Sequence, residues 1–263
     1  MSTLTFFIRR CIYSSLYVFD RVFGSEAFPV VIFCYHSIAA DDWRFGIDKK
    51  SFIQQVDHLL STRQAVTVDD LTGHISGEKL IDKPSFIICF DDGYKDILSV
   101  REYLASHTIK PLLFVLSSPE KANIDELGTK REFLTKEDIQ DLHKEGWAIG
   151  SHSATHSDFW HLSNQQLYTE IILSRKDLEK DLGFAIKYFA YPRGRYNQDV
   201  LRMVERSGYQ LAFSMDDGRI DQSTKTFAIP RIGVDRTHVF SEFQRLASPA
   251  NIFFRKTVKE LLV

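Results

Sequence analysis

Apolar positions along this chain come in two spacings that alternate from one end to the other. Unbroken apolar runs at 29–35 and 85–90 have the length of buried strands, and the strand-like stretches 110–116, 188–191 and 227–234 join them. Stretches at 65–68, 147–151 and 211–214 also read as strands. Between them the spacing becomes helical, as in Phe52, Ile53, Val56, Leu59 and Leu60. Further helices are expected over about 100–106, 164–182 and 198–207, the last two closed by Gly183 and Gly208. Thr135 with Asp138 three positions on forms a capping box for a helix that stops at Gly146. The polar stretch 117–132 is a long loop. Repeated strand–helix units imply a parallel sheet, open or closed. About seven strands, several ending in polar clusters, favour a single α/β barrel domain with its site at the strand C-termini.

At both ends the pattern is amphipathic. In 1–24, Leu4, Phe7, Ile8, Ile12, Leu16, Phe19, Val22 and Phe23 cover half a helical wheel, opposite Arg9, Arg10, Asp20 and Arg21. That pattern fits a helix at an anionic membrane surface, or one packed on the domain. A leader peptide is the third option, with cleavage near Ser25-Glu26-Ala27, but its apolar region is short and followed by charges. No run is long enough to span a bilayer as a helix. The barrel is expected over 28–246 and a second amphipathic helix over 247–263.

Composition changes this picture little. The chain has 263 residues and a formal net charge of -2, which gives no electrostatic reason to expect nucleic acid. Three cysteines, Cys11, Cys34 and Cys89, form neither a zinc motif nor a disulfide framework. A reducing compartment follows, so the expected location is cytoplasmic, peripheral on the inner membrane, rather than secreted.

Candidate chemistry sits where apolar runs stop. Cys89-Phe90-Asp91-Asp92-Gly93 ends a buried strand in two adjacent carboxylates, which need a cation or a shared proton. An isolated Asp-Asp-Gly is ordinarily a turn, and Asp216-Asp217-Gly218 is read as one. The first differs by its company: His36, the pair His152 and His156, and Tyr191-Pro192-Arg193-Gly194 each follow an apolar run. In a parallel barrel all four clusters meet at one mouth. Two imidazoles four residues apart share a face if their segment is helical, and with a carboxylate they make a hydrolytic metal set. Zinc is the default ion, with Co, Ni, Mn or Fe open. Trp43 and Trp160 could stack on a sugar, while His58, His74, His107, His143, His161 and His238 are read as surface or structural.

These motifs resemble the polysaccharide deacetylases, the NodB-homology domain of carbohydrate esterase family four. The family's first motif matches Cys89 to Gly93, its second His152-Ser153-Ala154-Thr155-His156, and its third Phe189 to Gly194. The resemblance spans about 29–235 and implies a distorted (β/α)7 barrel. It implies a divalent metal on Asp92, His152 and His156, Asp91 as general base, and the Arg193 backbone N–H at the oxyanion. Tyr35, Tyr191, Pro192 and Gly194 fall at expected substrate-binding positions. Two departures point to the biofilm-exopolysaccharide subgroup. Ala190 stands where many members carry an arginine, and no late motif supplies a catalytic histidine. His36, in Tyr35-His36, is then the expected general acid, and Arg231 the cation beside Asp91. The implied reaction removes N-acetyl groups from amino sugars of a surface polysaccharide or lipid-linked glycan. A non-sugar amide substrate and an inactive carbohydrate-binding barrel are the alternatives.

Overall fold

The structure, a computed structural model, describes residues 3–24 and 28–262; the cleavage site weighed at Ser25 to Ala27 lies outside the described residues. The strands are β1 Val30–Tyr35, β2 Gln64–Ala65, β3 Ser85–Phe90, β4 Leu112–Val115, β5 Ala148–Ser151, β6 Tyr188–Ala190, β7 Leu211–Phe213 and β8 Ile232–Gly233. They pair in parallel in the order β7-β6-β5-β4-β3-β1-β8, with β2 beside the start of β3. This is the curled, half-closed sheet of a distorted (β/α)7 barrel.

Helices α1 Thr3–Phe23, α2 Lys49–Thr62, α3 Val68–Ser76, α4 Arg101–Ser106, α5 Ile124–Leu127 and α6 Lys136–Lys144 precede β5. In the second half are α7 Asn164–Tyr168, α8 Ser174–Leu182, α9 Gln198–Arg206, α10 Phe240–Leu246 and α11 Pro249–Leu262. The expected capping box at Thr135 and Asp138 is present.

Strand periodicity divides the core in two. Val30, Ile32 and Cys34 of β1 with Ile87 and Cys89 of β3 fill the barrel interior, joined there by Phe114, Ala190 and Phe213. Their neighbours Val31, Phe33, Tyr35, Phe86, Ile88 and Phe90 point outward under the helices. Because this side-chain alternation carries past the strand ends, Asp91 follows Cys89 into the interior and His36 follows Cys34.

The last strand differs from expectation. The run 227–234 is broken, with Ile229 bridging Phe213 of β7 and only Ile232–Gly233 pairing with β1. Pro230 lies between, and having no N–H it cannot continue a ladder. The short segment therefore joins the two ends of the sheet, and the break turns Arg231 into the interior, 1% exposed.

The predicted helix 164–182 is also modified. α7 and α8 are joined through a π-helical turn, Thr169–Leu173, that carries the buried Glu170. Such single-turn bulges recur at functional sites.

Candidate active site

Asp91 is held first by the backbone, its N–H donating to Tyr35 O at 2.9 Å, and then by Arg231. The guanidinium grips both carboxylate oxygens, Nη1 to Oδ1 at 2.6 Å and Nη2 to Oδ2 at 2.9 Å. Arg231 Nε donates to Ser214 O at 3.1 Å, so the fork cannot swing away. The pairing expected for Arg231 is present: the cation at Asp91 comes from position 231, while Ala190 stays in the apolar interior. Burial alone would raise the Asp91 pKa, but Arg231, aided by His152, holds it well below the usual carboxylate range. Asp91 is an ionised, oriented carboxylate in a nearly closed site.

Its neighbour has the opposite character. Asp92 leaves the strand at φ 69°, an uncommon conformation for a residue with a side chain. Gly93 follows at φ 76°, where a Cβ would lie 3.0 Å from Val115 Cγ1. The turn aims Asp92 Oδ1 between His152 Nε2 at 3.4 Å and His156 Nε2 at 3.5 Å. Burial, with Asp91 adding to it, pushes the Asp92 pKa up to about 6.

The histidine pair is not on a helix. Residues 152–157 form an irregular loop, with Ser153 at φ 73° and His156 at φ 62°. Side chains hold that loop. Glu170 accepts from Ala154 N at 3.0 Å, Thr155 N at 2.9 Å and Thr155 Oγ1 at 2.7 Å. Ser153 Oγ accepts from His156 N, and Ser151 Oγ from Ser153 N. Strained backbone of this kind persists only where surrounding contacts over-determine it.

His152 Nδ1 lies 2.9 Å from Ala190 O. A carbonyl can only accept, so Nδ1 carries the proton and Nε2 turns its lone pair toward Asp92. Burial, with His156 and Arg231 adding to it, pushes the His152 pKa down to about 3, so the ring is neutral. The donor atoms of Asp92, His152 and His156 lie within 4.8 Å of one another, and Asp92 Oδ1 has no hydrogen-bond partner. Two imidazole nitrogens around a buried carboxylate oxygen lacking positive charge fit a divalent cation. Asp91, already paired with Arg231, stands beside this set, His152 Nε2 being 3.8 Å from its Oδ2.

The same residues line one cleft of about 580 Å³, with His36 and Phe45 on one wall and Arg193, Gly194, Arg195 and Met215 on another. His36 stacks on Phe45 with ring centroids 4.7 Å apart, Trp43 meets it edge-on, and its Nδ1 has no hydrogen-bond partner. Its position is set behind it, where Ser37 Oγ and Ile38 N both donate to Asp96. Arg193 takes φ 58° in the turn Pro192–Gly194. Gly194 packs so tightly on Met215 that a Cβ would come within 2.3 Å of it.

Three expected substrate-binding residues are not in the cleft. Tyr35 is buried under α2 and its hydroxyl donates to Gln55 Oε1 at 2.9 Å. Tyr191 donates to Phe227 O at 2.9 Å and stacks on Tyr196. Pro192 is buried and does not line the cleft. For the two tyrosines the reason is alternation: each stands beside a residue that faces the interior and so faces the helix layer itself. Trp43 lines the cleft and Trp160 is exposed outside it.

Glu170, Arg44, Phe45, Arg195 and Met215 were not anticipated. Glu170 left a trace in the sequence, as a lone carboxylate among Leu167, Ile171, Ser174 and Leu178 on the buried face of a helix. The others stand in loops and left none. Asp216-Asp217-Gly218, expected as a plain turn, has a structural role: Asp217 is buried and pairs with Arg255 at 2.7 Å and Lys259 at 2.7 Å, so the tripeptide anchors α11.

Comparison with known proteins agrees with this geometry. The chain is 26% identical over 205 residues to the putative polysaccharide deacetylase YxkH of Bacillus subtilis, covering 77% of this chain and 70% of that protein. It is 26% identical over 113 residues to poly-beta-1,6-N-acetyl-D-glucosamine N-deacetylases of Staphylococcus aureus, covering 38% of each chain. Among solved structures, IcaB from Ammonifex degensii superposes with a TM-score of 0.72 at 20% identity, over 86% of this chain and 98% of that one. The Streptococcus pyogenes deacetylase PplD, in complex with acetate, gives 0.68 at 22% identity over 78% and 92%. These two likenesses are of fold. Residues 79–212, from just before β3 through β7, match the profile of the polysaccharide deacetylases, and the chain belongs to that family.

Proposed function

We propose that the protein is a metal-dependent N-deacetylase acting on amino sugars of a cell-surface polysaccharide or a lipid-linked glycan precursor. The observation that carries this reading is one cleft in which an Asp–His–His set, a guanidinium-clamped carboxylate and a third histidine face one another. The activity named for the Staphylococcus aureus relatives supports the substrate class.

Asp92, His152 and His156 would hold the ion, with Ala190 O fixing the His152 tautomer. When bound, a divalent ion supplies Lewis acidity that makes water a competent nucleophile near neutral pH. Asp91 accepts the proton that water loses as its oxygen adds to the acetamide carbonyl. Arg231 keeps Asp91 ionised beforehand and oriented throughout. The Arg193 backbone N–H is assigned to the developing oxyanion. His36, as imidazolium, donates to the sugar nitrogen while the C–N bond breaks, leaving acetate and a free amine. That proton is required, because an amide anion is a very poor leaving group.

The test is acetate release from N-acetylglucosamine oligomers by purified protein loaded in turn with candidate divalent ions. The expected result is acetate and amine in equal amounts, abolished by chelation and restored by metal. His36→Ala should lower turnover by about 10²–10⁴-fold with bound metal unchanged. Full metal loading with no acetate from any N-acetylated glycan would overturn the reading.

A further inference from the structure

An amphipathic helix normally turns its apolar stripe to the core. Helix α1 turns most of its stripe away from the core, only Ile12 and Leu16 of it being half-buried. The domain takes its polar side: Arg9 bonds Glu242 and Thr237 O, Tyr13 is buried, and Asp20 accepts from Ala250 N at the start of α11. Arg245 completes the contact by donating to Ser14 Oγ at 2.7 Å. Leu4, Phe7, Ile8, Val18, Phe19 and Val22 are left outside, with Phe7 64% and Val22 69% exposed. At helical spacing these six lie on one face, over about 30 Å of helix, and no charged residue falls among them. Packed beside α1, α11 adds the exposed Phe253 and Leu261.

We infer that this face is a docking surface for an anionic lipid bilayer. Charge separates that occupant from an apolar protein partner. The one acidic residue of α1, Asp20, is buried in the dock, whereas Arg21 and, half exposed beside Glu242, Arg10 lie along one flank of the apolar face. Outwardly the helix is apolar and cationic, the composition of helices that lie in the interface of anionic membranes. Among the described residues no helix is long and apolar enough to cross a membrane, so the contact is in-plane.

The dock also sets where the bilayer sits. Arg9 holds the turn containing Thr237, and in that turn Asp235 pairs with Arg44 on the cleft wall. A membrane under α1 thus lies on the side of the domain that carries this rim of the cleft. The inference stands on the α1 contacts and does not depend on the deacetylase reading.

The chain carries its own probe. Cys11 is exposed on α1 while Cys34 and Cys89 are buried, so a thiol-reactive, environment-sensitive dye labels position 11. Full-length labelled protein is mixed with phosphatidylcholine vesicles with and without phosphatidylglycerol, and unlabelled protein is tested by flotation. The expected result is a blue shift and flotation, both stronger with phosphatidylglycerol. The double variant Phe7→Asp/Val22→Asp alters only exposed positions, and its Tm should be unchanged. It should lose at least about tenfold in vesicle association. Absence of both shift and flotation with either vesicle would overturn the inference. So would a stable dimer, seen by light scattering, that the same variant dissolves, because a second copy would then be the occupant.

Discussion

The chain contains the tripeptide Asp-Asp-Gly twice, each time just beyond a strand of the same sheet, after β3 and after β7. At the first, Asp91 meets Arg231 in the barrel interior and Asp92 meets two imidazole nitrogens. At the second, Asp216 accepts from the Tyr196 and Ser214 hydroxyls, while Asp217 pairs with Arg255 and Lys259 of α11. Both sites bury a carboxylate, and both give one of the two a cationic partner. They differ in the other member. Asp216 has neutral donors, whereas Asp92 Oδ1 has no hydrogen-bond partner and faces the lone pair of His152 Nε2, which can bind only a cation or a proton. A buried carboxylate left short of positive charge distinguishes the copy in the candidate site from the one that anchors α11.

The largest effect should come from exchanging one atom type at each copy. Asp91→Asn should lower deacetylation by about 10²–10⁴-fold, and Asp92→Asn should abolish stoichiometric metal binding measured by elemental analysis. Asp217→Asn should leave rate and metal content within about twofold of the parent, since neither Asp216 nor Asp217 lines the cleft. A comparable rate loss at Asp217 would erase the distinction.

Next in size is the buried ion pair. Arg231→Met strands the Asp91 charge and should cost roughly 3–5 kcal/mol in denaturant unfolding. Adding Asp91→Asn to that variant should recover much of the stability but none of the activity, a coupling that a double-mutant cycle reads directly. Simple additivity would show that the two side chains are not coupled.

The opposite shifts of the two site carboxylates give a pH signature. The folded-state pKa of Asp92, about 6, lies above its ordinary 3.8. For an acid this sign means that the metal-free fold carries no penalty below about pH 4 and a growing one as pH rises to about 6. Asp92→Asn should therefore stabilise the metal-free protein at pH 7 by roughly 3 kcal/mol and leave it little changed at pH 4. Equal effects at both pH values would contradict the assignment. Asp91 has the reverse sign, its stabilisation being present at neutral pH and lost only in strong acid.

The smallest effect belongs to the structural copy. Arg255 is largely buried and Lys259 half exposed, so Asp217→Asn should cost roughly 1–2 kcal/mol. Lys259→Ala should cost less, because an exposed partner is screened by solvent. Thermal unfolding followed by circular dichroism resolves the order.

Much of this was legible before any coordinates. Fully apolar strand-length runs determined the parallel sheet, because only strands covered on both faces dispense with polar alternation. Their polar ends determined where the chemistry would gather, since parallel strands bring all C-terminal ends to one rim. Asp91, Asp92, His152, His156, Arg193 and His36 do line one cleft there. Other features depended on pairings that no local pattern encodes. Tyr35 and Tyr191 carried motif positions, yet alternation placed both under the helix layer. The irregular His loop rests on Glu170, whose reach depends on a π-turn rather than a regular helical one. The two Asp-Asp-Gly tripeptides are identical in sequence, and partners 140 residues away in one case and 38 in the other divide their roles. So too with α1: its two faces were plain from residue spacing, but which face the domain would cover was decided by Glu242 and by the backbone N–H of Ala250 at the start of α11. Periodicity reports which residues share a side, and only the packed structure determines what stands opposite.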